Sequence, residues 1–361
     1  MVERTKPGFS RILITGGCGF IGTSLVSHLL KNGTNIHIRV LDNLSVGTRE
    51  TLSEACHFRE VKSASLFADT PHSGVELVVG DIKDPDVCLL CCRNIDAVVH
   101  LAAQSGVPAS IEDPQTDCSI NVTGTLNILE SCRRNNVGSF VFASSGAPLG
   151  EVEPPIHERK VPRPISPYGA SKLAGEAYCS AYYKTFGIKT VVLRFGNVYG
   201  PRSQHKTSIV AKFFRHALNG RPLEVYGDGT QTRDFIYIAD LCHAISLSLK
   251  ALGLKLNGDG HVISGSDAVA GEIFQIATFR ETTVNEIAEK IKVIVERDIE
   301  QNVNIVHGEK RLGDVQRNYS DISKAKKLLG FQPSYDLDAG LYETWKSFLN
   351  LSCGLTNHGE R

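Results

Sequence analysis

Short apolar runs recur through the first half of the chain, and each one stops at a glycine or a polar residue. Arg11–Thr15 runs into Gly16, Ile36–Leu41 into Asp42, and Val75–Val79 into Gly80-Asp81. Ala97–Leu101 leads to Ala102-Ala103, Phe140–Ala143 to Ser144-Ser145, and Thr190–Phe195 to Gly196-Asn197. Between them, helical spacing of apolar positions marks residues 21–30, 82–93, 115–135 and 168–186, the first closed by Asn32-Gly33. Near-continuous apolar strands separated by helices predict a parallel sheet covered on both faces, an α/β doubly wound architecture. Nearly every polar or glycine signal falls just after a strand, where open α/β sheets bind ligands. Residues 49–74 lack this regularity and read as a loop with one helix.

After Pro201 the rhythm changes. A helix is expected near 208–219, then short strands around Gly227-Asp228-Gly229 and Arg233-Asp234-Phe235, then helices near 282–297, 322–329 and 336–350. The pattern predicts two domains. Residues 1–198, with a return near 235–265, form the first; 199–234 and 266–361 form a smaller, partly discontinuous α/β domain.

Composition narrows the class. Of 361 residues 42% are hydrophobic and 22% charged, as in an ordinary globular protein. Lys+Arg and Asp+Glu balance at 39 each, so no global field draws nucleic acid or an anionic membrane. The N-terminus lacks a signal-peptide core and no apolar run reaches membrane-span length, which makes the cytoplasm the expected location. The ten cysteines are scattered. Cys88, Cys91 and Cys92 share one helix face but have no second ligand pair, so they read as buried packing and no metal site is expected.

Two constellations carry chemistry. Gly16-x-x-Gly19-x-x-Gly22 opens the first helix directly after the first strand, with Phe20 and Ile21 inside it. Such a loop turns tightly, lets backbone approach a pyrophosphate and aims a helix N-terminus at the anion. Asp42 ends the next strand, where a carboxylate bonds a ribose 2′-hydroxyl and repels a 2′-phosphate; NAD is therefore favoured over NADP. Arg39 and Arg49 are the nearby cations that would reverse that preference.

The second constellation is Tyr168 and Lys172, one helical turn apart, with Ser145 at a strand end upstream. A phenol needs a neighbouring cation to act as a base near neutrality. Tyr342 and Lys346 repeat the spacing without such a serine and read as a surface pair.

These residues, with Leu41–Ser45, Gly80–Ile82, His100–Ala103, Asn121–Thr125, Leu193–Arg202, Arg233–Phe235, Arg311–Asp314 and Leu328–Phe331, resemble the extended short-chain dehydrogenase/reductases over about residues 10–350. The likeness is greatest to nucleotide-sugar epimerases of the UDP-glucose/UDP-N-acetylglucosamine 4-epimerase kind. It implies a Rossmann-type domain binding NAD through Gly16, Gly19, Phe20, Ile21, Gly22, Asp42, Asn43, Asp81, Ile82, Leu101, Ala102, Ala103, Asn121, Tyr168 and Lys172. Ser145, Tyr168 and Lys172 would be catalytic. Ser145, Phe195, Asn197, Arg233, Arg311 and Asn318 would bind a UDP-sugar. A homodimer built on the 115–135 and 168–186 helices is implied too.

Departures from the family pattern sharpen the reading. Gly146 and Ala147 follow Ser145 where sugar 4,6-dehydratases carry an Asp-Glu pair, and the glutamate of decarboxylases is missing as well. Both activities, a one-way reductase and a non-catalytic scaffold stand as alternatives to an epimerase. Pro148-Leu149 replaces the usual Val-Tyr, and Ala277-Thr278-Phe279-Arg280 replaces a usual Gly-Thr-Gly. Asn318 stands at a gate position where a large tyrosine excludes N-acetyl groups, so acceptance of N-acetylated sugars is expected.

Overall fold

The computed structural model describes residues 10–33, 36–67, 74–256, 266–300, 302–310 and 315–356. The apolar runs form the expected strands: β1 (Ser10–Thr15), β2 (Ile36–Asp42), β3 (Phe58–Glu60), β4 (Gly74–Val79), β5 (Ala97–His100), β6 (Ser139–Ser145) and β7 (Lys189–Phe195). With Glu272–Ile276 they make one eight-stranded sheet in the order Glu272–Ile276, β7, β6, β5, β1, β2, β4, β3. Every pairing is parallel. The chain passes to opposite sides of β1 through β2 and β5, which sets the topological switch point at the end of β1.

Alternation along the strands builds two apolar layers. Ile12, Ile14, Ile38, Val40, Val99 and Val141 point to one face, joined there by Leu25, Val26 and Leu29 of the helix Phe20–Asn32 and by Leu241 and Ile245 of Ile238–Ala251. Leu13, Leu41, Val98, Phe140 and Phe142 point to the other, with Cys88, Cys91, Cys92, Ile128 and Cys132 from the helices Pro85–Cys91 and Gly124–Arg134 and their ends. The three neighbouring cysteines are therefore core residues, fully buried.

The second half contributes helices Ile209–Leu218, Val284–Ile299 and Leu337–Thr356, which converge on the stacked rings of Phe214 and Trp345, 5.5 Å apart. Small parallel pairs join Leu223–Tyr226 to Ile305–Gly308 and Asn197–Tyr199 to Phe235–Tyr237.

Three local features differ from expectation. The 49–74 stretch holds the helix Arg49–Ser53 and also β3, an edge strand too short to show a period. The single helix expected at 115–135 is three pieces: Pro114–Cys118, a π-helical turn Ser119–Thr123 and Gly124–Arg134. The return to the first sheet runs past the expected 235–265, because Glu272–Ile276 pairs with β7 across a gap of nearly eighty residues that no local pattern encodes. Residues 257–265 of that return lie outside the described residues.

Candidate active site

The glycine loop lies at the switch point. Thr15 Oγ1 accepts the Ala102 N–H at 3.2 Å and meets His100 Nδ1 at 2.7 Å, which ties the ends of β1 and β5 together. Gly16 has φ 69°, and a Cβ there would stand 2.8 Å from Ala102 N. A Cβ on Gly22 would stand 2.3 Å from Gly16 O. Gly19, the N-cap of Phe20–Asn32, has only Gly16 O within reach, at 3.4 Å, and supplies no side chain to the first-turn N–H groups. First-turn N–H groups left without a side-chain cap, here those of Phe20, Ile21 and Gly22, suit an anion such as a dinucleotide pyrophosphate.

Asp42 ends β2 beside the loop. Burial pushes its carboxyl up, opposed by the Leu44 and Cys18 N–H groups, which it accepts at 2.8 and 2.9 Å. Asn43 Nδ2 donates to Asp81 at 3.1 Å, and buried Ile82 lies over Gly124, so these residues, expected on the adenine side, gather at the ends of β2 and β4. Both nearby arginines are paired with carboxylates. Arg39 is buried against Glu76 and donates to the carbonyls of Cys91 and Arg93. Arg49 holds Glu60 at 2.7 and 3.0 Å. The donor set fits NAD.

Leu101, Ala102 and Ala103 follow β5 and lead to Gln104, whose N–H reaches Asn121 Oδ1 at 2.9 Å. Asn121 lies in the π-helical turn and is buried. Its Nδ2 lies 2.8 Å from Asp117 Oδ1, 3.0 Å from Gln104 O and 3.1 Å from Ser171 Oγ. Wide turns of this kind are frequent at functional sites.

Tyr168 and Lys172 occupy the first turns of Pro167–Phe186, which Ser166 caps by accepting the Gly169 N–H. Lys172 is buried, donates to Ala143 O at 2.9 Å and sits 5.1 Å from the Phe142 ring and 5.9 Å from the Tyr168 ring. Burial lowers its ammonium to about 8, against the raising influence of Asp117, Cys179 and Glu176. Burial raises the Tyr168 phenol to about 12; hydrogen bonding from Ser145 pulls it down and the Asp117 charge pushes it up. Ser145, at the end of β6, accepts the Ala147 N–H at 3.2 Å. Thus β6 and one helix bring the three expected catalytic residues together. Tyr342 and Lys346 lie elsewhere, Lys346 paired with Glu343 at the surface.

On the facing side, Phe195 ends β7 and Asn197 follows, its N–H on Asp234 O at 2.8 Å. Arg233 donates to Thr232 O and Val315 O, both at 2.7 Å. Asn318 is half-buried with its N–H toward Thr232 Oγ1. Arg311 lies outside the described residues. The segment that departs from Gly-Thr-Gly is clamped by Asp234, which accepts from Thr278 N and Oγ1, Phe279 N and Ser320 N. That clamp holds Phe279 at φ 63°, a backbone costing a non-glycine residue about 1–2 kcal/mol. Pro148 and Leu149 are buried in a short 3-10 turn against the Tyr168 helix, so this substitution acts as packing. The two sides of the cleft meet through Arg202–Glu54 at 3.3 Å and Lys206–Ser105 at 3.2 Å.

Sequence reading missed Asp117 and the supporting pair Glu176–Arg194, buried with bonds of 2.8 and 2.6 Å. The (i, i+4) spacing of Asp117 to Asn121 was the available signal.

A glycine loop at the switch point of a parallel sheet, facing a Ser/Tyr/Lys cluster, defines a dinucleotide-dependent enzyme acting on a hydroxyl-bearing carbon. The chain belongs to the NAD dependent epimerase/dehydratase family, which matches residues 12–262. A putative UDP-glucose 4-epimerase of Methanocaldococcus jannaschii is 36% identical over 335 residues, 91% of this chain and 95% of that protein. Among solved structures, the UDP-glucose 4-epimerase of Thermotoga maritima with UDP-glucose superposes with a TM-score of 0.78 at 32% identity, covering 95% and 99% of the two chains. The UDP-glucuronic acid 4-epimerase of Bacillus cereus, with UDP-glucuronic acid and NAD, gives 0.78 at 30% identity over 94% and 99%. No helix among the described residues is long and apolar enough to cross a membrane.

Proposed function

We propose that this protein is a nucleotide-sugar 4-epimerase acting on UDP-hexoses with NAD held in the glycine loop. The observation that carries the reading is the convergence of Ser145, Tyr168 and Lys172 beside that loop, with Gly146 and Ala147 where elimination of water would need acid and base side chains. NAD held in this loop would supply hydride-accepting and hydride-donating chemistry at sugar C4, and inversion follows when the 4-keto sugar turns its other face to the cofactor between the two transfers.

The chain's own part is proton transfer and orientation. Tyr168 Oη takes the proton of the 4-hydroxyl and gives it back, while Ser145 Oγ shares the hydrogen bond to that oxygen. Burial opposes formation of the tyrosinate and the Ser145 hydrogen bond favours it, and Lys172, 5.9 Å from the ring, is the cation we assign to balance its charge. Asn197, Arg233 and Arg311 are assigned to the nucleoside diphosphate, where guanidinium forks suit phosphate oxygens. Phe195 and Asn318 line the sugar end, and the smaller Asn318 admits an N-acetyl group. The first half together with its return forms the NAD unit, and the remainder the sugar unit. The family resemblance carries the assembly we assign, a homodimer through the Gly124–Arg134 and Pro167–Phe186 helices.

The test is a panel of UDP-glucose, UDP-N-acetylglucosamine and UDP-glucuronic acid incubated with purified protein and no added NAD, followed by proton NMR. Appearance of the 4-epimer of at least one supports the reading. Bound NAD with no conversion of any of them overturns it.

A further inference from the structure

Asp117 is a carboxylate 1% exposed, in the short helix Pro114–Cys118, and no Lys or Arg among the described residues forms a salt bridge with it. A carboxylate withdrawn from water needs donors or a nearby positive charge. Its donor is Asn121 Nδ2 at 2.8 Å, and the same amide lies 3.1 Å from Ser171 Oγ. Ser171 in turn donates to Tyr168 O at 3.0 Å and immediately precedes Lys172. A continuous chain of polar contacts therefore runs from Asp117 to the turn that carries both proton-transfer groups.

We infer that Asp117 is a positioning residue: held by Asn121, whose amide also reaches Ser171, it orients the turn that carries Tyr168 and Lys172. The inference rests on the assignment of Tyr168 and Lys172 as the proton-transfer groups.

The surroundings single out this carboxylate. Lys172 faces Glu176 and Cys179 from its own helix, His100 from β5, and the Phe142 ring and Ala143 carbonyl from β6. Glu176 is already committed to Arg194 and Ser144. His100, buried between Thr15 and Thr125, is lowered to about 3 and stays neutral. The Cys179 thiol is raised by burial and is neutral too. Tyr168 faces Ser145 and Asp117. Asp117 is thus the acidic group that acts on both members of the pair, raising each.

The sign of its removal follows. Without the charge, both the phenol and the ammonium release protons more easily, so both limbs of a pH profile move toward acid. The test compares Asp117→Asn and Asp117→Glu with the wild-type holoenzyme, reading kcat and kcat/KM of a converted UDP-hexose against pH. The tyrosinate absorbance is titrated alongside, as the difference between each protein and its Tyr168→Phe counterpart. Asp117→Asn is expected to shift limbs and titration to lower pH by on the order of one unit, the size of a single nearby charge. Asp117→Glu, keeping the charge, is expected to restore most of the wild-type profile. A rate loss in Asp117→Asn with limbs and titration unmoved, or an equal shift in both variants, overturns the inference. The titration needs no sugar, so absence of turnover in the wild type defeats the epimerase reading alone, while an unmoved titration defeats this one.

Discussion

The three glycines of the dinucleotide loop are glycine for different reasons, and the difference is measurable. In Gly22→Ala the new Cβ would stand 2.3 Å from Gly16 O and 2.5 Å from Gly17 Cα, backbone on either side with nothing able to swing away. Overpacking of that kind costs about 1–3 kcal/mol. Gly16→Ala would meet Ala102 N at 2.8 Å and add a left-handed φ of 69°, about 1–2 kcal/mol more. Gly19→Ala meets only Gly16 O at 3.4 Å, an ordinary contact, and φ there is −77°. The protein alone therefore tolerates it, apart from a weaker helix cap costing up to about 1 kcal/mol. On the proposed reading, the space a Cβ would take at Gly19 is where the pyrophosphate lies. The expected outcome is a cofactor-free melting temperature near wild type for Gly19→Ala and clearly lowered for Gly16→Ala and Gly22→Ala. NAD affinity in Gly19→Ala should fall about 5- to 150-fold, the equivalent of 1–3 kcal/mol. Differential scanning fluorimetry of stripped protein and calorimetric NAD binding read the two effects separately. A Gly19→Ala protein that melts as low as Gly22→Ala, or that binds NAD as tightly as wild type, refutes the reasoning.

Arg194→Met leaves the Glu176 carboxylate buried with only the Ser144 hydroxyl as partner; chemical denaturation should show a loss of about 3–5 kcal/mol, largely recovered in the double variant with Glu176→Leu. His100 binds its proton near pH 3 when folded and near 6.5 when unfolded, so its share of the stability is lost progressively as pH falls from 6.5 toward 3. Between pH 6.5 and 5 the slope attributable to it, up to about 1.4 kcal/mol per unit, should vanish in His100→Gln denaturation curves. Lys346→Ala should leave turnover at the wild-type level while Lys172→Ala abolishes it, as measured by NMR, because Lys346 pairs with Glu343 and the Tyr342 ring, away from Ser145.

Much of the frame was legible because it is periodic or punctuated. Each sheet strand with a strong apolar run announced itself, as did the glycine loop, Asp42 and the serine ending β6. What escaped lacked local signal. β3 spans three residues with one half-buried side chain, and Glu272–Ile276 carries Glu and Gln within a strand whose partner is far away in sequence. The π-helical turn at Ser119–Thr123 reads as ordinary helix, since one extra residue per turn barely disturbs the apolar spacing. The (i, i+4) spacing of Asp117 and Asn121 was readable, but the contact of Asn121 with Ser171, fifty residues on, which completes the polar chain behind the Tyr/Lys pair, has no local signal. Arg39 shows the converse: three residues before Asp42 on the same strand, it is buried against Glu76, an orientation that the sequence left open.

The most direct test of the central claim follows an isotope through one turnover. A UDP-hexose deuterated at C4, incubated with the purified protein in ordinary water, should yield its 4-epimer with the deuterium still at C4, and no epimer in Tyr168→Phe. Loss of the label to solvent, or epimerisation that persists in Tyr168→Phe, contradicts the account.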